Sequence, residues 1–303
     1  MAQNLYTHQD SNVRKTWFLM TAVFVLLVGL GWIISQVYGN PFILYAFAIV
    51  AVVGNIVSYW KSDSIALSMS GAKPVSREQN VRLYRIVENL CITAGLPLPR
   101  LHIMQSSQIN AFATGRDPEH AAIAVTTGAL EKLNDNELTG VMAHELSHIG
   151  NRDILISTVV VVTAGIIAVV SEWFLRMTFW GGRGDRKQGN AIVLVVALVA
   201  AVLAPLAATL IRLAVSRKRE YLADASGALL TRYPEGLAGA LEKIAHDQVP
   251  MRRAHSATAH LFISNPLKGK DGVSWMAKLF ATHPPLPERI RILRGEPAAQ
   301  NES

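Results

Sequence analysis

His144-Glu145-Leu146-Ser147-His148 places two imidazoles four residues apart, with a carboxylate beside the first. On a helix, residues i and i+4 lie one turn apart on the same face, so both rings can reach a single ion. At 3.6 residues per turn, Glu145 falls about 100° from His144 and about 60° from His148 around the axis. It flanks such an ion without having to bind it, where a base must sit to take a proton from an activated water. The neighbours Val141, Met142, Ala143, Leu146 and Ile149 are apolar, so this helix is expected to be buried. Two histidines and a glutamate on a buried helix need partners. The pattern points to zinc-assisted hydrolysis.

Catalytic zinc takes three protein ligands and keeps one position open. The residue six beyond His148 is Ile154, and no histidine follows until His246. A carboxylate is therefore sought. Glu220 and Asp224 stand four apart in Arg217-Lys218-Arg219-Glu220-Tyr221-Leu222-Ala223-Asp224, hence on one helical face. Glu220 can bind the ion. Asp224 can hydrogen-bond a ligand imidazole, fixing its tautomer and raising its basicity. On the residues alone, Glu220, Asp153 and His246 all remain candidates for the third ligand.

The elements that must bring these residues together are largely apolar. Half of the 303 residues are hydrophobic, and Thr16–Trp60 contains no charged side chain. That stretch is long enough for two spanning helices of roughly 20 residues each. Trp17–Val37 and Phe42–Trp60 are expected to form a hairpin turning at Gly39-Asn40-Pro41, with Trp17, Tyr38, Tyr59 and Trp60 at headgroup level. The run is too long for a cleaved signal peptide and lacks a cleavage site, so an anchor is expected after a loosely ordered polar tail over residues 1–15. Ile154–Leu175 and Ala191–Val215 are two further apolar helices, joined by a glycine-rich polar loop at 181–187. They either both cross the bilayer or both lie in a buried core. His144 and His148 precede them and Glu220 follows them, so the chain must return to the side it left.

Between the apolar segments, Ser76 with Gln79 reads as a capping box for a helix carrying Leu83, Ile86, Val87, Leu90 and Cys91, stopped by Gly95 and Pro97. Leu101–Met104 and Ala121–Val125 read as strands. Asn134 with Glu137 caps the helix that carries the paired histidines. Four units follow: residues 1–60, a tail and transmembrane hairpin; 61–153, a first catalytic half; 154–215, a second apolar helix pair; and 216–303, a second catalytic half with the third ligand. The expected fold is a mainly α membrane protein with up to four transmembrane helices. To these is joined an α+β, zincin-like metalloprotease domain with a small sheet.

Net charge is +7, but the basic residues are spread between the apolar runs. That argues for lipid headgroups and topology control rather than nucleic acid. One cysteine, Cys91, excludes an intramolecular disulfide framework. Lys61–Arg152 and Arg217–Arg294 are rich in Lys and Arg and are expected on the cytoplasmic side. Arg176, Arg183, Arg186 and Lys187 run against that assignment.

The apolar hairpin, the His-Glu-Leu-Ser-His motif and Ser216–Asp224 together resemble the HtpX-type membrane metalloproteases. These are heat-shock-associated proteases of bacterial membranes, distantly related to the CAAX prenyl endopeptidases. The likeness extends to Thr282-His283-Pro284-Pro285-Leu286 and covers nearly the whole chain. It implies one zinc ion per chain, with Glu220 as the third ligand beside His144 and His148. Glu145 would be the catalytic base and His283 a donor to the developing oxyanion. Asn110-Ala111-Phe112-Ala113 matches a stretch beside the family's cleft. An edge strand at Asn110–Thr114 or Ala121–Val125 would hold substrate, with Asn110 anchoring its backbone. Implied substrates are damaged or misassembled membrane proteins and unfolded polypeptides, cleaved at the bacterial inner membrane from the cytoplasmic side. Two other classes stand beside this one. A processing peptidase with one dedicated substrate is disfavoured by too few helices for an enclosed chamber. A non-enzymatic scaffold or transporter is disfavoured by the near-absence of charge within the apolar helices.

Overall fold

The computed structural model describes residues 5–180, 216–251, 258–266 and 284–296. Helices α1 (Leu5–Tyr38) and α2 (Phe42–Trp60) form the apolar hairpin. Gly39 takes a left-handed φ of 61°, and Asn40 Oδ1 accepts from the Phe42 N–H at 3.0 Å, which closes the turn between them. By length and composition, Gln9–Tyr38 and Phe42–Trp60 are each able to cross a membrane. Phe18, Phe42, Tyr45 and Ile49 are exposed on their outer faces, as lipid contact requires. Trp17 stacks on Tyr59 at 5.6 Å, so two of the expected headgroup-level aromatics meet across the hairpin. Over residues 5–15 the expected loose tail is corrected: α1 is already helical from Leu5. Its first turns are docked, since Gln9 Nε2 donates to the Gly150 carbonyl at 2.6 Å.

Beyond the hairpin come α3 (Ser62–Met69), β1 (Lys73–Pro74), α4 (Val81–Ala94), β2 (Arg100–Met104), β3 (Ala111–Thr114) and β4 (Ala122–Thr126). Helices α5 (Thr127–Lys132), α6 (Asp135–Gly150), α7 (Asp153–Trp180), α8 (Arg217–Thr231), α9 (Pro234–His246) and α10 (Leu286–Leu293) follow. The N-cap of α4 is Asn80, whose side chain accepts from the Leu83 N–H, and not Ser76. The reach-back from Ser76 N–H to Gln79 Oε1 does form, at 2.9 Å, but it closes a separate turn ahead of the helix. Gly95 ends α4 in the left-handed region, as read.

The four strands are ordered β1-β2-β4-β3, with β2 and β4 parallel and the outer pairs antiparallel. Of the two segments expected to offer a free edge, β3 lies at an edge of the sheet and β4 inside it. Every residue of β3 and β4 is buried, because both faces are covered. Ala111, Ala113, Ile123 and Val125 pack with α4, α6 and α9. The alternate positions Phe112, Ala122 and Ala124 pack with α3, Val161 and Phe262. Helix α7 leaves α6 at an 83° bend and packs Leu155, Val159 and Val160 against Leu19, Val23 and Leu27 of α1. Helix α6, which carries the paired histidines, is thereby continuous, through one bend, with the apolar bundle. The expected fourth apolar helix and the 181–187 loop lie outside the described residues.

Candidate metal centre

Helix α6 is fixed at its start by the predicted capping box. Asn134 Oδ1 accepts from Glu137 N–H at 2.9 Å, and Glu137 Oε2 accepts from Asn134 N–H at 2.8 Å. Helix α8 lies against α6 at Gly227, where a Cβ would stand 3.1 Å from the His144 backbone nitrogen. Only a glycine permits that approach without displacement. Glu220, seven residues earlier and so two turns along the same face of α8, is carried to the paired histidines.

The three expected ligands converge. His144 Nε2 and His148 Nε2 are 3.2 Å apart. Glu220 Oε2 lies 3.9 Å from His144 Nε2, and Glu220 Oε1 lies 3.6 Å from His148 Nε2. One donor atom from each residue falls within 4.8 Å of the others, a grouping that could hold a metal ion. Each ring is oriented from behind. Asp224 Oδ1 is 2.9 Å from His144 Nδ1, and Asp153 Oδ2 is 2.9 Å from His148 Nδ1. With Nδ1–H donating to a carboxylate, each imidazole in its neutral form would turn a bare Nε2 toward a bound ion. Asp224 is gripped in turn by Arg289, fully buried, through Nε at 2.8 Å and Nη2 at 2.7 Å. Arg289 Nη1 lies 3.5 Å from Glu220 Oε2, so one guanidinium supports both a ligand and an orienting carboxylate.

Burial and charge set the protonation of these groups. Burial draws the His144 imidazole down, and Asp224 opposes it without reversing the direction. Burial acts the same way on His148, but Asp153, Glu220 and Glu145 outweigh it and hold that ring up at about 9. Burial lifts the Glu145 carboxyl to about 7, offset partly by His148 and by the Ala113 backbone N–H, which hydrogen-bonds to it. Burial alone would raise Asp224, yet Arg289 and His144 keep it below the usual carboxylate range.

Asp153, a rival for the third ligand position, instead spends Oδ2 on His148 Nδ1, away from the converging Nε2 atoms. The other rival, His246, sits at the end of α9 with Nδ1 on the Glu242 carbonyl. Asn110, expected as a substrate anchor, has its side chain engaged within the fold. It is 1% exposed, and its amide donates to Gln108 Oε1 and to the Ser264 carbonyl. Its Oδ1 accepts from the N–H groups of Ala111 and Ser264. With its donors and acceptor used, it staples β3 to the chain at 264. His283 lies outside the described residues.

Two roles at the site are absent from the sequence reading, which names Asp153 only as a rival ligand and does not name Arg289. Asp153 had a signal, since two ligand imidazoles need two acceptors and only one had been assigned. Arg289 had none of its own, being an arginine on a short amphipathic helix.

The cavity before the donor atoms measures about 30 Å³ and is lined by Ala113, His144, Glu145, His148, Glu220 and Phe262, among others. That admits water but no peptide. The outer edge of β3 faces it. Since the Asn110 carbonyl bonds to Thr126 N–H on the β4 side, the groups of Ala111 and Ala113 point outward by alternation. Ala111 carbonyl accepts from Ile263 N–H at 3.0 Å, and Phe262 packs edge-on against Phe112 at 4.9 Å. The chain's own Leu261–Ser264 segment thus covers this edge.

Residues 77–297 match the model of Peptidase family M48. A protease HtpX homolog of Caldanaerobacter subterraneus subsp. tengcongensis is 46% identical over 299 residues, spanning 96% of this chain and 98% of the relative. One from Thermoanaerobacter pseudethanolicus is 46% identical over 298 residues, with the same coverage of both chains. One from Pyrococcus furiosus is 49% identical over 284 residues, covering 92% and 94%. Among solved structures, the crystal structure of S. mikatae Ste24p aligns with 92% of this chain and 66% of its own length, at 19% identity and a TM-score of 0.47. With its apolar hairpin, its convergent histidines and carboxylate, and these full-length relatives, the chain belongs to peptidase family M48 as an HtpX-type membrane metalloprotease.

Proposed function

We propose that this metalloprotease is a zinc-dependent endopeptidase that cleaves damaged or misassembled membrane proteins and unfolded polypeptides. The observation that carries the reading is the convergence of two Nε2 atoms and the Glu220 carboxylate, with separations of 3.2, 3.6 and 3.9 Å. A tetrahedron with bonds of roughly 2.0–2.2 Å has edges of about 3.3–3.6 Å, and zinc favours such mixed nitrogen and oxygen donors. When bound, zinc supplies Lewis acidity, which acidifies a water molecule and polarises a carbonyl.

The remaining work falls to the chain. His144, His148 and Glu220 hold the ion, and Asp224 and Asp153 keep both rings aimed at it. Glu145 takes the proton of the attacking water onto its carboxylate and delivers it to the amine that leaves. Burial raises the Glu145 carboxyl, which favours its holding the proton between the two transfers. His283 supplies a hydrogen bond to the carbonyl oxygen as charge builds there, a role resting on the family resemblance. Substrate adds as a strand along Ala111–Ala113, which requires Leu261–Ser264 to move aside.

The setting supports membrane substrates. The bend at 151–152 joins the ligand helix directly to α7, which packs on the spanning hairpin. Basic residues concentrated in 61–152 and 217–294 support a cytoplasmic site, and the family relation supports a bacterial inner membrane. The test is cleavage of unfolded casein by detergent-purified protein with zinc, wild type against Glu145→Ala. Cleavage by wild type alone is expected. Equal cleavage by both would remove Glu145 as the base, and no cleavage by either would favour a scaffold.

A further inference from the structure

Asn12 is a polar side chain where the fold has no evident need of one. It is 4% exposed, in the turns of α1 that lead into the apolar span. The buried amide needs acceptors for both N–H groups. Its Nδ2 donates to the Asn151 carbonyl at 3.1 Å and to Asp153 Oδ1 at 2.7 Å. These acceptors lie on either side of the break between the helix carrying the histidines and the one beginning at Asp153.

We infer that Asn12 is a positioning residue for the metal centre, through which the first membrane helix sets the aim of His148. The inference rests on the metal reading above. Asp153 has two oxygens with separate tasks. Oδ2 accepts from His148 Nδ1 at 2.9 Å, and Oδ1 accepts from Asn12. Arg219 Nε also approaches Oδ1, at 3.5 Å, beyond ordinary charge-assisted hydrogen-bond length. Asn12 therefore makes the shorter hold on the oxygen that fixes the carboxylate plane. Without it, rotation about the Asp153 side chain moves Oδ2 off the imidazole and frees the ring to turn. Outer partners of this kind cost 10–100-fold in metal affinity when removed. A residue one bond further out is expected to cost about tenfold.

A neighbouring contact provides the control. Gln9 docks the same helix on the same bend, through the Gly150 carbonyl at 2.6 Å, but has no hydrogen bond to Asp153. If docking of the helix alone mattered, loss of the Gln9 contact would weaken metal binding as well.

The experiment uses the full chain in detergent, stripped with a chelator and titrated with zinc against a chromophoric competitor. Wild type is compared with Asn12→Asp, Asn12→Ala and Gln9→Ala, and the metal-free melting temperature of each is recorded. Asn12→Asp keeps the shape and loses both donors; Asn12→Ala serves should the added charge prevent folding. Weakening of zinc affinity by about tenfold in the Asn12 variants is expected, with Gln9→Ala within about twofold of wild type. The metal-free melting temperatures confine the comparison of affinities to folded variants. Unchanged affinity in folded Asn12 variants overturns the inference and leaves the metal reading standing. Equal weakening by Gln9→Ala also overturns it, because docking alone then explains the effect. Wild type that binds no zinc overturns both.

Discussion

His148 and Asp153 stand on opposite sides of a helix break, five residues apart, with Nδ1 and Oδ2 2.9 Å from each other. The break turns the chain by 83°, and Arg152 occupies the left-handed region at φ 58° to make it. In a continuous helix, residue 153 would point about 140° away from residue 148. The bend thus supplies the second ligand with its acceptor. Asp153→Ala should lower zinc affinity by about 10–100-fold in protein that remains folded. Chelator competition measures it, and wild-type affinity in the variant would sink the assignment.

Arg289 offers a test of stability. Its guanidinium is fully buried and grips Asp224 with two hydrogen bonds. Deleting it strands a buried carboxylate, a loss of about 3–5 kcal/mol. Arg289→Ala should therefore melt well below wild type, and Arg289→Lys should fall between, since an ammonium cannot fork onto both oxygens. A wild-type melting profile for Arg289→Ala would show that Asp224 finds other compensation.

The pH dependence has a definite sign. His148 is held at about 9, above the ordinary histidine value of about 6.5. Between those values the folded protein binds a proton that the unfolded chain releases, so stability falls as pH rises. From pH 7 to 9, chelator-stripped protein should lose melting temperature. Zinc must displace the same proton, so its apparent affinity should rise by up to about tenfold per pH unit over this window. Opposite slopes in the two measurements are expected. A stripped protein whose melting is flat or climbs from 7 to 9 contradicts the charged imidazole.

What could be read from residue order follows local rules. The Asn134–Glu137 box, the Gly95 stop and the Gly39 turn each depend on a few neighbouring residues, and all three form. The pairing of His144 with His148 needs only helical period. Glu220 needed a family pattern, because its place depends on how α8 lies against α6. What stayed hidden depends on long-range packing. Arg289 reaches Asp224 across 65 residues, and Asn12 reaches Asp153 across 141. Nothing in a polar N-terminal stretch announces that it docks on a metal centre. The surroundings of Asn110 stayed hidden for a related reason. A side chain beside a cleft looks available until its donors and acceptor are found spent on Ser264, Gln108 and its own neighbour.

The covered edge of β3 yields the last prediction. A substrate strand needs the outward groups of Ala111 and Ala113, and Ile263 N–H already donates to Ala111. Phe262 holds the covering segment by its edge-on contact with Phe112. Such an aromatic pair contributes about 0.5–1.5 kcal/mol beyond the area it buries. Weakening it should make displacement easier, raising kcat/KM for unfolded casein by about two- to tenfold. Phe262→Ala removes the ring, and Ile263→Pro removes the N–H while leaving Phe262 in place. Both should cleave faster than wild type, provided their melting temperatures show a folded core. Because the two changes break different contacts of one segment, slower or unchanged cleavage by both folded variants means that the segment does not compete with substrate. Faster cleavage by both means that the enzyme, as folded, rests with its substrate edge occupied by its own chain.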